Sequence, residues 1–158
     1  KHIRRQAIGN FAINAILNAG IVYGSMGARK TIPFSGGDGF AADLLITAIV
    51  LSAIVSAVVM WTGRKQGRNG KLAWLSTDEM GLSRGLPQSP LKATLLFTIA
   101  GMLVAAISLV LLSLLSVDNL SLAAYAGLKG AWTGAWAALL VSLALRHGLR
   151  VPPENLQK

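Results

Sequence analysis

Lys129 stands inside the apolar run LAAYAGLKGAWTGAWAALLVSLALR, where few side chains can hold a proton or a charge. Leaving an ammonium alone in hydrocarbon costs at least about 2.5 kcal/mol, so Lys129 requires a partner and an inward-facing position. Asp43 is the expected partner, with Asn14 and Asn18 as reserves; Tyr125 and Thr133, one turn to either side of Lys129, add hydroxyls to the same helix face. Asn10, Asn14 and Asn18 recur every four residues and place three amides on one stripe of another helix, with Ser25 further along it. Two chemistries suit this set. It can line a polar path for a solute or proton, or it can tie helices together through buried hydrogen bonds and a charge pair.

Covalent and metal chemistry find little footing. There is no cysteine, which removes thiolate ligands and thiol nucleophiles. The two histidines, His2 and His147, fall at the ends of apolar segments and have no metal-ligand spacing, although His147 remains a position where one pigment or metal could be held. The six acids are scattered, no serine or threonine has a His and Asp beside it in sequence, and the glycines of SGGDG do not join a strand to a helix. The expectation is a non-enzymatic protein without a cofactor.

The elements that must position these residues are apolar helices. Hydrophobic residues make up 53% of the 158 positions and charged residues only 13%, with a mean hydropathy of +0.57. A soluble chain of this size carries about a quarter charged residues, so a bilayer is the better solvent. Crossing its core takes about 20 apolar residues. Four stretches meet that length, at 7–27, 40–63, 91–117 and 120–146, and predict one all-α transmembrane domain over 1–158. A basic start before an apolar run also fits a secretory signal, with Ser25 and Gly27 as small residues for cleavage. The length of the run and its three amides favour a span.

Lys and Arg divide unevenly about these spans. Lys1, Arg4 and Arg5 precede the first, Arg64, Lys65, Arg68, Lys71, Arg84 and Lys92 lie between the second and third, and Arg146, Arg150 and Lys158 close the chain, twelve in all. Only Arg29 and Lys30 fall on the other side. The positive-inside rule and an even number of spans then place both termini in the cytoplasm. The expected architecture is an integral membrane four-helix bundle, N-in/C-in, of two antiparallel hairpins joined by a basic cytoplasmic loop at 64–90. The net charge of +9 suits anionic lipid headgroups on that face rather than nucleic acid. Within the loop, Ser76 and Glu79 have capping-box spacing, and Leu72, Trp74, Leu75, Met80, Leu82 and Leu86 can line a short interfacial helix; a solvated linker is the alternative.

Small residues supply a further pattern. Gly20 with Gly24, and Gly130 with Gly134, are GxxxG pairs, and Thr94, Thr98, Gly101, Ala105 and Ser108 form a small face on the third span. Trp61, Trp74, Phe34, Phe40 and Tyr23 read as interfacial belts, whereas Trp132 and Trp136 lie deep and one turn apart, placed to face lipid, to pack against another subunit or to hold a flat ligand by stacking, with lipid-facing or packing favoured. Two functions fit: an accessory or structural subunit docking onto other membrane helices in a larger complex, or a small oligomeric permease using the polar residues for transport. The expected partners are membrane lipids and other membrane subunits or itself, and the expected location is a plasma membrane of the bacterial inner-membrane type.

Overall fold

The computed structural model describes residues 1–37 and 39–151, so Asp38 of the SGGDG segment and Lys158 of the charge count lie outside the described residues. The described chain is dominated by helix: α1 (His2–Met26), α2 (Phe40–Arg68), α3 (Pro90–Leu114) and α4 (Leu122–Gly148), each long and apolar enough to cross a membrane. The helices outrun the apolar stretches at the charged end. α1 begins at His2 and α2 runs on to Arg68 because Arg, Lys and Gln are good helix formers and no proline interrupts the ladder at those positions. Pro90, which needs no donor at a helix start, opens α3, and the Ser121 hydroxyl accepts from the Ala124 N–H to cap α4.

The helices do not pack mainly as two sequential hairpins. α4 is central, with more than half of its apolar stretch buried against under a third for each of the others; α1 packs along it, α2 lies against another of its faces, and α3 packs along α2. The reason is steric. A Cβ on Gly130 would come within 2.7 Å of the Ala15 carbonyl oxygen, and one on Gly134 within 2.9 Å of that of Phe11, so α1 lies closer to α4 than any side chain would permit.

At one end, a segment between the first two helices pairs with the residues just before α4 as an antiparallel two-stranded ribbon, β1 (Thr31–Pro33) with β2 (Asn119–Ser121), Ile32 opposite Leu120, so positions 120 and 121 of the expected fourth span are strand. Three-residue strands carry too little alternation to be seen in sequence, and Pro33 argues against one. The ribbon buries Ile32 in a cluster with Val22, Phe40, Leu44, Leu109 and Tyr125. Phe40 is therefore core, edge-on to Phe34 at 5.1 Å, and not part of an interfacial belt.

At the opposite end, residues 64–90 fold back onto the C-terminal turn of α4. The Leu75 N–H donates to Leu149 O at 2.9 Å, the Ser83 hydroxyl to Leu143 O at 3.1 Å, and Arg146 to Glu79 O at 3.0 Å. A 3-10 helix, Asp78–Gly85, occupies the middle, bent where Gly81 takes a φ of 51° that a side chain would resist. Met80 is buried and Leu82 almost fully exposed, so the apolar residues of the loop do not form one interfacial face. Ser76 and Glu79 do meet: the Ser76 N–H and hydroxyl both donate to Glu79 Oε2 at 3.0 Å, holding that carboxyl below its usual range.

Candidate functional site

Asp43 projects from the first turn of α2, where the positive end of the helix dipole favours a carboxylate. The Lys129 ammonium donates to its Oδ2 at 2.6 Å, and the Tyr125 hydroxyl, one turn earlier on α4, donates to the same oxygen. Lys129 is 2% exposed and Asp43 27% exposed, so the cation is sealed and the carboxylate keeps one open flank. Thr133, a turn beyond Lys129, donates to Lys129 O at 2.7 Å and lies 3.3 Å from Asn14 O on α1. The cluster thus spans α1, α2 and α4, roofed by the ring of Phe40 at 5.5 Å from that of Tyr125.

The asparagine stripe is arranged differently from a ladder between helices. Each side-chain amide donates to the carbonyl four residues earlier in α1: Asn10 to Gln6, Asn14 to Asn10 and Asn18 to Asn14, at 2.9–3.0 Å. Such back-bonding satisfies the NH2 groups locally and needs no neighbouring helix. Asn18 is buried, Asn14 and Asn10 only partly. Toward the helix start the stripe continues through Gln6 and His2, which with Thr62 and Gln66 of α2 line a cavity of about 200 Å³ between α1, α2 and α4.

The deep tryptophans are ties between helices. The Trp136 indole donates to Ser52 Oγ of α2 at 2.8 Å, and the Trp132 indole to Ser108 Oγ of α3 at 3.1 Å. Gly101 makes room for the first, since a Cβ there would lie 2.1 Å from Ser52 Oγ. Of the glycine pairs, Gly130 and Gly134 are consumed by α1, whereas Gly20 and Gly24 are exposed with nothing within 4 Å of a would-be Cβ.

Residues that sequence reasoning passed over include Ser52, Ser83 and the partner of His147. His147 is fully buried rather than at an open rim; its Nε2 pairs with Pro87 O at 2.7 Å and its Nδ1 has no partner among the described residues. A serine in an apolar run such as Ser52 was the available signal, because a hydroxyl there needs a partner. No group of three or more His, Asp or Glu is arranged to hold a metal among the described residues.

The class defined by this fold and cluster is an all-helical protein with four helices of membrane-spanning length and a buried carboxylate–ammonium–phenol contact. Comparison of the chain with family models, curated proteins and solved structures finds no match.

Proposed function

We propose that this chain is a non-enzymatic, multi-pass integral membrane protein, N-in/C-in, that serves as an accessory or structural subunit docking onto other membrane helices. The observation that carries the docking role is the divergence of the two GxxxG pairs. One is used up within the chain, while Gly20 and Gly24 present an open, small-residue face on a helix flanked by exposed Ile16, Leu17 and Ile21. In lipid, such faces let a second backbone approach closely. Gly20→Leu with Gly24→Leu is expected to leave thermal stability unchanged and to release co-purifying membrane subunits, read by mass measurement of the intact particle purified in mild detergent. Retention of the same partners by the double variant would remove this face from the assembly.

The orientation rests on charge. Every described Lys and Arg outside the spans lies at the 64–90 end except Arg29 and Lys30, and the cytoplasmic side, here that of a bacterial inner membrane, is the one that retains them. Because the sequence has no cysteine, Ser76→Cys creates a unique thiol at an exposed position. It is expected to resist a membrane-impermeant thiol reagent in intact cells and to react after lysis. Ready labelling of intact cells reverses the topology.

A small oligomeric permease is the second reading, favoured by the polar cavity of His2, Gln6, Asn10, Thr62 and Gln66 opening toward the asparagine stripe. A particle containing only copies of this chain, with solute flux in vesicles, would favour it.

A further inference from the structure

On the flank of α1 away from the polar cavity, residues of α1 and α4 at the basic end line a cleft of about 470 Å³. Its walls are of two kinds. Ala7, Ile8 and Phe11 of α1 and Ala138 of α4 form an apolar trough running toward the middle of the helices, and Lys1, Arg4 and Arg146 stand at its mouth. Arg4 and Arg146 come from different helices, so their convergence is a product of the fold. Arg146 is braced by donation to the Glu79 carbonyl, which uses one of its five N–H donors. None of the three cations has an acidic partner among the described residues.

We propose that this cleft binds an anionic glycerophospholipid, its phosphate held between Arg4 and Arg146 with Lys1 alongside, and one acyl chain lying over Phe11 and Ala138. Charge and shape point to the same occupant. A cleft of ligand size, in the range of about 300–1,000 Å³, offers cations without an acidic partner among the described residues at the depth of the headgroups and an apolar floor at the depth of the chains. A partner helix would fill the trough but leave the guanidinium groups without counter-charge. The site rests on the membrane-spanning, cytoplasm-facing reading above.

The test uses purified full-length protein in nanodiscs of phosphatidylcholine doped with phosphatidylglycerol, with retained lipid counted by native mass spectrometry. Wild type is expected to retain phosphatidylglycerol selectively, and the preference is expected to fall by about fivefold for each cation removed in Arg4→Gln and Arg146→Gln. Inorganic phosphate in excess is not expected to displace the lipid, because it has no chain for the trough. In native membranes, a photo-crosslinker on Ala138→Cys is expected to add the mass of a phospholipid. Equal retention of both lipids, undiminished selectivity in the double variant, displacement by phosphate, or a crosslink to a protein or a second copy overturns the proposal. Failure of the chain to enter nanodiscs overturns the spanning reading and the lipid site with it; entry without lipid selection overturns the lipid site alone.

Discussion

Asp43→Asn is expected to destabilise the bundle by about 3 kcal/mol, at the low end of the about 3–5 kcal/mol measured when one member of a buried charge pair is removed. The low end applies because Asp43 keeps 27% of its side chain exposed and is therefore only partly buried. Lys129, at 2% exposure, has no such relief and loses its counter-charge while remaining buried. Lys129→Met is expected to cost less than about 1 kcal/mol, since it removes the cation along with the pair and fills the space with an apolar chain. Tyr125→Phe falls between, at about 1.5 kcal/mol for a hydrogen bond to a charged acceptor. Reversible unfolding in mixed micelles checks the order Asp43→Asn, Tyr125→Phe, Lys129→Met. If Lys129→Met proves as damaging as Asp43→Asn, the pair is not a structural tie; loss of transport in both variants with the fold intact would assign it to the solute path.

Gly130→Leu and Gly134→Leu are expected to separate α1 from α4. Even a methyl at Gly130 would sit 2.7 Å from the Ala15 carbonyl oxygen, and one at Gly134 2.9 Å from that of Phe11, with backbone rather than flexible side chains in the way. Replacing a helical glycine gains about 1 kcal/mol of intrinsic propensity, but overpacking a tight contact costs about 1–3 kcal/mol, and two backbones that cannot yield place this contact at the top of that range. The expected readout is a net loss of about 2 kcal/mol in each variant, together with protease sensitivity of α1. Unchanged stability in both would contradict the close approach of the two helices. The contrast with Gly20 and Gly24, where the same substitution meets open space, makes the four glycines one internally controlled series.

How far the sequence reaches depends on the range of the interaction. The four apolar helices are legible from uninterrupted runs of Leu, Ile, Val and Ala, because the length and hydropathy of a span are local properties. That Lys129 must have a partner also follows from its position alone, since the cost of a bare ammonium does not depend on what surrounds it. Which group answers it is a matter of which helices touch, and that was decided by the close contact that Gly130 and Gly134 give α1 and by the lie of α2 against α4. The same tertiary choice turned Trp136 and Ser52, 84 residues apart, into one hydrogen bond, and buried His147 under Pro87. The asparagine stripe went the other way. Its spacing of four was plain, yet that spacing also puts each amide within reach of its own helix's carbonyls, and the local bond won over a distant one. Composition and periodicity thus determine which segments are helices and which groups need satisfying, whereas the identity of each partner waits on packing, because it depends on contacts between residues far apart in the chain.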